Sequence, residues 1–329
     1  MTKDQRKGHL SMLVASMMWG AMAPISKFVM SAGLLGSVAV TDVRIFGAAL
    51  LFWLFSPFAP KEKVDRKDYV KLFGAAMFAI ILNQGVFITG VSMTSPVDAS
   101  IITTSMPIVT MVLAAIFLKE PITSRKAAGV LLGMGGAILL VFGNRLMPGA
   151  GQSVAAQGAS SNIWGDLLCL FAQCSYATYL VLFKDLIAKY SPLTLMKWMF
   201  TFASAVMLPL TIVQFVSEPW ASVPVEQYAG LAFILFCGTF ICYLLVPVGQ
   251  KTLRPTLVAM YNYVQPVVAT FIAVLWGMDS FNIIKLVAVI LVFSGVLLVN
   301  RSKSRADVER EGRESRKNEK RRLASGGIE

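Results

Sequence analysis

The sequence predicts an all-helical membrane protein with ten transmembrane helices arranged as two inverted repeats of five. Three observations lead to this prediction. Of the 329 residues, 56% are hydrophobic and 15% are charged, with a mean hydropathy of +0.67, whereas soluble domains have about 45–50% apolar and about 25% charged residues. The charged residues gather in a few short segments, and one half of the chain repeats the other at a fixed offset. A soluble enzyme and a disordered regulator are therefore disfavoured.

Ten segments satisfy the requirement of about 20 mostly apolar residues for a membrane span. They are 9–30, 37–56, 69–91, 96–118, 125–144, 162–188, 192–216, 227–249, 255–276 and 281–300. In the longest connection between them, the run PGAGQSVAAQGASSN is small, polar and uncharged, which is typical of a flexible surface loop. The predicted organisation is a first five-helix repeat over 1–144, an extracytoplasmic polar loop over 145–161, a second, inverted five-helix repeat over 162–300, and a basic cytoplasmic tail over 301–329.

The basic residues do not indicate a nucleic-acid partner, although the formal net charge is +12. They fall between the apolar runs, which is the pattern that orients a membrane protein. With the N-terminus in the cytoplasm, the basic residues lie inside in the N-terminal segment, in 61–71, in 119–126 and in the tail. Only Arg145 and Lys285 lie outside. We therefore predict a multi-pass protein of the inner (plasma) membrane with both termini in the cytoplasm.

The beginning of the chain also has features of a cleavable signal peptide: a basic start, an apolar run and the sequence Ala21-Met22-Ala23. The apolar run continues to Met30, however, and cleavage would leave nine spans and destroy the repeat. We expect this segment to be the first transmembrane helix.

The repeat is most evident where 96–141 superposes on 255–300 without a gap, at an offset of 159 residues. Prolines coincide in this superposition, Pro107 with Pro266 among them. Because each unit holds an odd number of spans, the second unit enters the membrane in the opposite direction. Inverted repeats are typical of secondary transporters, which alternate between two open states around a site at the membrane midplane.

In its span sequences the chain resembles the EamA-like family of the drug/metabolite transporter superfamily. The resemblance lies in MMWGAMAPISKF, in the second span with Arg44, in LNQGVFITGVSMTSPVDASIITTSMPIVTMVLAAIFLKEPIT, and in GVLLGMGGAILLV and VAVILVFSGVLLV. It implies a ten-helix bundle around a central cavity lined by spans 1, 3, 4, 6, 8 and 9. Members of the family export amino acids, nucleobases, sugar derivatives or drugs. Asp42 and the basic tail depart from the family pattern.

Strongly polar and aromatic side chains occur within the six spans that the resemblance assigns to the cavity. Such groups are costly in hydrocarbon and usually face a cavity or a partner. We predict that nine of them, the pathway residues, line a neutral pocket with an aromatic rim that binds a small amphipathic solute. They are Trp19, Asn83, Gln84, Thr103, Gln173, Tyr176, Tyr243, Asn262 and Gln265. The alternative is hydrogen bonding between helices, worth about 0.6 kcal/mol per pair.

Three further residues are candidates for gating. Pro107 and Pro266 lie near the middle of their predicted spans, where each would remove a helical hydrogen bond; this predicts either a hinge or a static packing kink. Arg44, always charged, could bind a substrate carboxylate, lock a gate or form an ion pair near the outer end of its span. Asp98 is a candidate partner for that pair, although Ser95-Pro96-Val97-Asp98 also has the pattern of a helix start.

The chemistry that the spans lack is also informative. No carboxylate lies at mid-depth, and His9, the single histidine, lies at the edge of the first span. We therefore favour facilitated flux or exchange over proton coupling. No phosphate-binding loop, metal-ligand motif or catalytic triad pattern is present, so we expect no cofactor, no metal and no enzymatic activity. Gly129 and Gly133 form a G-x-x-x-G pair that permits close helix contact, either within the chain or in a homodimer.

Together these features predict a secondary transporter that exports small amphipathic metabolites such as amino acids. Its expected partners are a small-molecule substrate and membrane lipid, with no nucleic acid. A multidrug or toxic-compound efflux protein of the same architecture is the alternative. An intramembrane enzyme would need a cluster of His, Asp or Glu at an interface, and a scaffold would not need paired prolines and polar groups within its spans.

Overall fold

The computed structural model describes residues 2–30, 33–59, 61–93, 102–142, 163–275, 283–303, 308, 310 and 313–315. Over these residues the chain is helical and contains no strand. In chain order the α-helices are α1 (Lys3–Met30), α2 (Ser37–Phe55), α3 (Arg66–Ala76), α4 (Val86–Met93), α5 (Met106–Leu118), α6 (Ser124–Phe142), α7 (Ile163–Leu182), α8 (Lys184–Lys189), α9 (Pro192–Ser217), α10 (Val225–Leu235), α11 (Cys242–Thr252), α12 (Pro255–Met260), α13 (Val264–Leu275) and α14 (Ile283–Asn300).

The length and composition of these helices are those of a multi-pass membrane protein. Five continuous helical segments are long and apolar enough to span a bilayer: Ser37–Phe58, Ile163–Leu182, Pro192–Ser217, Val225–Thr252 and Ile283–Asn300. Large apolar side chains cover the outer surface, such as Leu210, which is 73% exposed. Outward-facing apolar groups are expected where helices face lipid instead of water.

Three of the predicted spans depart from the uniform α-helices that we expected. A π-helical segment, Met77–Gly85, joins α3 to α4, and a second one, Phe236–Ile241, joins α10 to α11. A 3₁₀ turn, Tyr261–Tyr263, joins α12 to α13. Apolar periodicity gives no sign of these changes in helix type. The two π-helical segments begin 159 residues apart, which is the offset of the sequence repeat.

The helices begin and end where local chemistry favours it. Ser191 caps α9, accepting a hydrogen bond from the Thr194 backbone N–H at 3.3 Å, and Pro192 occupies the first turn, where its missing N–H costs nothing. At the end of α5, Lys119 adopts a left-handed conformation, with φ 54°, and directs the chain into α6.

Helices α6 and α14 pack closely and run in opposite directions. A Cβ atom on Gly129 would lie 2.7 Å from the Gly295 carbonyl oxygen, and one on Gly136 would lie 2.7 Å from the Ala288 carbonyl oxygen. Because these glycines carry no side chain, the two backbones approach one another directly. The glycine face of α6 is therefore occupied within the chain, which is the first of the two arrangements that the G-x-x-x-G pair allows.

Helices α2 and α9 are a second antiparallel pair. The Gly36 backbone N–H, just before α2, donates to the Glu218 carboxylate just after α9 at 3.3 Å. Near the other end of α2, the Trp53 indole N–H donates to the Thr201 hydroxyl at 2.9 Å. Both α2 with α9 and α6 with α14 therefore join the first half of the chain to the second.

A polar cluster joins the segment before α3 to the region around α8. The Lys189 ammonium pairs with the carboxylates of Asp65 and Asp68, and the Tyr190 hydroxyl donates to Asp68 at 2.7 Å. The Ser191 hydroxyl donates to Glu62 at 2.8 Å. The Lys189 ammonium, first, and the Tyr190 hydroxyl stabilise the charged form of Asp68, which holds the pKa of that carboxyl well below its ordinary value.

The predicted polar loop over 145–161 and residues 95–98, including the possible Asp98 cap, lie outside the described residues. The same is true of most of the predicted tail after Lys303.

Candidate functional site

A cavity of about 530 Å³ lies between helices from both halves of the chain. This volume is within the range of about 300–1,000 Å³ that is typical of small-molecule sites. The structure brings all nine pathway residues together in its wall: Trp19, Asn83, Gln84, Thr103, Gln173, Tyr176, Tyr243, Asn262 and Gln265. Of the three gating candidates, Arg44 and Pro266 also line the cavity, and Pro107 does not.

The first π-helical segment supplies two adjacent amides to the wall. The Gln84 amide N–H donates to the Tyr243 hydroxyl at 2.6 Å, and the Asn83 amide N–H donates to the Ala172 carbonyl oxygen at 3.0 Å. Gln84 is only 8% exposed, and its Oε1 has no hydrogen-bond partner among the described residues. A buried acceptor without a partner is energetically costly, so the arrangement is suited to a ligand that donates a hydrogen bond at this point.

Aromatic side chains form another part of the wall. The Trp19 indole N–H donates to the Gly238 carbonyl oxygen at 2.9 Å, which fixes the ring. The Trp19 ring meets the Tyr243 ring edge-on, with 6.0 Å between centroids, and the Tyr243 ring in turn packs edge-on against Phe200 at 4.9 Å. Because each ring is fixed by its neighbour, this part of the wall is preorganised for apolar contact.

The interrupted helix α12–α13 contributes a third group of side chains. The Gln265 amide N–H donates to the Asn262 amide oxygen at 3.0 Å, and the Asn262 amide N–H contacts the Met106 sulfur. The Tyr263 hydroxyl donates to the Thr104 carbonyl oxygen at 3.0 Å. Asn262 and Gln265, three positions apart, therefore bond to one another across the junction of the 3₁₀ turn with α13.

Of the described residues in the wall of the cavity, Arg44 alone carries a charged side chain. Its Nε–H donates to the Thr239 hydroxyl, in the second π-helical segment, at 3.1 Å. The expectation of an ion pair is not met among the described residues, where no carboxylate lies within 4.0 Å of the guanidinium; Asp98 lies outside them. Asp42, two positions earlier, lies beside Thr211 of α9 and does not line the cavity.

The two prolines differ from the mid-helix positions that we predicted. Pro107 is in the first turn of α5, directly after a turn at residues 104–105, and Pro266 is near the start of α13, after the 3₁₀ turn. A proline in a first turn removes no helical hydrogen bond, so at Pro107 the interruption of the helix precedes the proline. A hinge role for either residue stays a prediction.

Sequence reasoning missed several residues of the wall. Phe87 lies four positions after Asn83, and Thr270 lies four positions after Pro266. That spacing puts each on the same helix face as a predicted residue and could have identified both. Tyr263 lies between Asn262 and Val264 in the 3₁₀ turn, so its place in the wall follows from a change of helix type that the apolar pattern does not reveal. Among the described residues no group of three or more His, Cys, Asp or Glu side chains could hold a metal ion.

Comparisons with known proteins show which family and which proteins the chain resembles. The model of the EamA-like transporter family matches residues 6–142 and 163–301. A Bacillus subtilis protein named as uncharacterized transporter YyaM is 22% identical over 291 residues, which cover 88% of this chain and 92% of that protein. The Salmonella typhimurium protein named as uncharacterized inner membrane transporter YicL is 22% identical over 302 residues, which cover 90% of this chain and 95% of that protein.

More distant matches extend to plants and to a solved structure. The Arabidopsis thaliana WAT1-related protein At2g40900 is 25% identical over 201 residues, which cover 57% of this chain and 51% of that protein. One crystal structure superposes with a TM-score of 0.71 at 14% sequence identity, covering 88% of this chain and 95% of that chain. At this identity the superposition indicates a shared fold and nothing about the substrate.

Proposed function

This chain belongs to the EamA-like transporter family, and on this premise we propose that it is a secondary transporter that exports small amphipathic metabolites, such as amino acids and related compounds. The observation that carries the proposal is the cavity of about 530 Å³, whose wall combines amide, hydroxyl and aromatic groups from both halves of the chain. Such a wall offers hydrogen bonds to the polar end of a solute and apolar contact to the remainder. Export is the direction that the family resemblance implies.

Transport proceeds in this proposal by alternating access of two inverted five-helix repeats. The equal offset of the two π-helical segments supports the repeat, as do side-chain hydrogen bonds between residues 159 positions apart: Gln84 with Tyr243, and Tyr263 with Thr104. In an inverted repeat, equivalent residues can touch only near the pseudo-two-fold axis. These contacts are therefore the ones that such an axis through the cavity would produce.

The directions of the helices support the inversion. Residues 124–141 of α6 correspond to residues 283–300 of α14 at the repeat offset, and these two helices run antiparallel. The same holds for α2 and α9, which are also equivalent and antiparallel. The two segments matched by the family model, 6–142 and 163–301, support the division of the chain into two halves.

The proposed orientation has both termini in the cytoplasm, in agreement with the basic residues that flank the spans. It places the cluster of Glu62, Asp65, Asp68 and Lys189 on the cytoplasmic side. Labelling of single-cysteine variants in spheroplasts tests it: the Lys189→Cys variant should be protected from an impermeant maleimide, and the Ser222→Cys variant should react.

Counterflow in proteoliposomes tests the transport proposal. Liposomes that hold the purified chain and are preloaded with unlabelled solute are diluted into the labelled solute, with amino acids and nucleobases as the panel. Saturable accumulation that needs the preload and persists without a pH gradient is expected of an uncoupled carrier. No counterflow by any solute, from a protein that remains folded in the bilayer, would contradict the proposal.

The aromatic part of the wall supports a second candidate, multidrug efflux by the same architecture. Trp19, Phe87, Tyr176, Tyr243 and Tyr263 all line the cavity, and aromatic walls bind flat apolar compounds without strict selectivity. Expression of the chain in a host that is sensitive to toxic compounds distinguishes drug efflux from metabolite export. A drug exporter should raise resistance to several unrelated toxic compounds, whereas a metabolite exporter should relieve the toxicity of a single solute class.

A further inference from the structure

We propose that Arg44 binds a carboxylate group of the transported solute, so that the substrates are small carboxylic acids that also carry an N–H or O–H donor. This inference rests on the proposed transport function and names the substrate class of the same cavity. It assigns Arg44 a role in substrate recognition. The sequence alone allowed three roles for this residue: a substrate contact, a gate or an ion pair.

The first support is the hydrogen bonding of the guanidinium. Arginine has five N–H donors in a planar fork and stays charged in proteins. In Arg44 only Nε–H has a partner among the described residues, the Thr239 hydroxyl at 3.1 Å. This bond fixes the inner edge of the guanidinium and leaves the two Nη groups, whose parallel N–H bonds match the two oxygens of a carboxylate.

The second support is the charge of the wall. Arg44 lines the cavity, and none of the described residues that line it with Arg44 is acidic. The carboxylate nearest to Arg44 in sequence, Asp42, lies against α9 beside Thr211. A charge away from water is stabilised only when it is paired with an opposite charge and hydrogen-bonded. The wall thus carries one formal positive charge, which an anionic group on the solute would balance.

The third support comes from Gln84. Its amide N–H donates to the Tyr243 hydroxyl, and its oxygen is buried with no partner in the described part of the chain. Arg44, Gln84 and Tyr243 all line this cavity, and the Thr239 hydroxyl that holds the guanidinium lies only four positions before Tyr243 in the chain. A solute with its carboxylate on Arg44 can donate an amine or hydroxyl hydrogen to the Gln84 oxygen. Amino acids and hydroxy acids carry both groups.

Matched pairs of probes test this inference on the full-length protein. The first pair is L-leucine and L-leucinamide, and the second is L-phenylalanine and L-phenylalaninamide; each amide keeps the amine and side chain and replaces the carboxylate by a neutral group. DL-2-hydroxyisocaproate provides an acid without the amine. Binding is measured as thermal stabilisation of the purified protein, and transport as inhibition of counterflow, so that each readout checks the other.

In the wild-type protein at least one acid should bind about 10-fold or more tightly than its amide, which is the effect expected of a hydrogen-bonded charge. Arg44→Gln should abolish this preference by weakening the acid and leaving the amide unchanged. Arg44→Lys, which keeps the charge and loses the fork, should retain part of it. Arg66→Gln, an exposed arginine in the first turn of α3, should leave both affinities unchanged. If Arg44→Gln fails to fold, the ratio of acid affinity to amide affinity in the wild type and in Arg44→Lys still tests the inference.

The inference is overturned if acid and amide bind equally to the wild type, or if Arg44→Gln keeps the preference. A third outcome also overturns it. If Asp98→Asn lowers the affinities for acid and amide by the same factors as Arg44→Gln does, the guanidinium serves an internal ion pair. If a solute without a carboxylate is transported while none of the acids binds, the inference fails and the transport proposal stands. If nothing in the wider panel binds or moves, both fail.

Discussion

Gln84 and Tyr243 lie 159 positions apart in the chain and meet in the wall of the cavity, where the Gln84 amide N–H donates to the Tyr243 hydroxyl at 2.6 Å. Gln84 is in the first π-helical segment, and Tyr243 lies two positions after the end of the second. The bond therefore joins two positions that are separated by the offset of the sequence repeat. Any relative movement of the halves during transport has to lengthen, rotate or break it.

A double-mutant cycle on this pair measures the bond. Tyr243→Phe removes the acceptor and Gln84→Leu removes the donor, and each should lower the unfolding temperature and slow transport. The coupling energy should be about 0.5–1.5 kcal/mol, because hydrogen bonds between membrane helices are modest. The cycle is read from thermal unfolding in detergent, with initial counterflow rates alongside. Strictly additive effects would show that the two side chains do not interact.

Neighbouring glycines of α6 provide a matched test of its packing on α14. A Cβ on Gly136 would lie 2.7 Å from the Ala288 carbonyl oxygen, whereas one on Gly135 would meet no atom within 4 Å. Gly136→Ala should cost about 1–3 kcal/mol, because backbone atoms cannot move aside easily. Gly135→Ala should be neutral or stabilise the helix by up to about 1 kcal/mol. Thermal unfolding of the two variants compares them, and equal effects would mean that α6 and α14 do not pack as described.

The buried ion pair at the start of α6 makes another strong prediction. The Lys126 ammonium lies 2.7 Å from the Glu120 carboxylate, and these side chains are 1% and 6% exposed. Glu120→Gln leaves a buried ammonium without its counter-ion, which should destabilise the protein by about 3–5 kcal/mol. Adding Lys126→Met should restore most of the loss, since no charge then stays buried. A double variant as unstable as Glu120→Gln would contradict this account.

The polar cluster near α8 predicts a dependence of stability on pH. Hydrogen bonds from Lys189, first, and from Tyr190 lower the pKa of Asp68 from its ordinary value near 3.8. A carboxyl whose pKa is lower in the folded state stabilises the protein above its unfolded pKa, and that contribution disappears as the pH falls towards the folded pKa. The difference in unfolding temperature between wild type and Asp68→Asn should therefore be constant from about pH 7 to pH 5 and shrink below about pH 4.

The control for this titration is Glu226→Gln, which removes an exposed carboxyl in the first turn of α10. Its difference from the wild type should be small at every pH. If the difference in unfolding temperature between wild type and Asp68→Asn increased on acidification, it would have the wrong sign. That result would exclude the proposed stabilisation of the Asp68 carboxylate.

Much of the cavity wall was predictable because polar residues are rare within apolar spans. Asn83, Gln84 and Gln173 stand out for that reason, and each lines the cavity. A strongly polar side chain in hydrocarbon needs a cavity or a partner, so its direction follows from its chemistry. The sequence could not distinguish a residue that only faces the cavity from one that also bonds across it, as Gln84 does with Tyr243.

The changes of helix type were not predictable in the same way. Met77–Gly85 is as apolar as a regular transmembrane helix apart from its two amides, and a π-helical segment differs from an α-helix mainly by the shift of backbone bonding to i+5. The partner of Arg44 depends on which helix faces α2 at that depth, and Thr239 lies 195 positions away. From the sequence an ion pair was the favoured interpretation of Arg44, because a buried charge usually has a partner.

Counterflow by the wild type, Asn83→Ala and Gln265→Ala, measured side by side at equal reconstituted amounts, shows whether the cavity is the transport pathway. Asn83 and Gln265 line the cavity from different halves of the chain. Leu210→Ala, on the lipid-facing surface of α9 at 73% exposure, is the control. If the cavity is the transport pathway, both cavity variants should raise the half-saturating concentration or slow the flux several-fold, and the control should match the wild type. Unchanged flux in both folded cavity variants would contradict the account and place the pathway elsewhere.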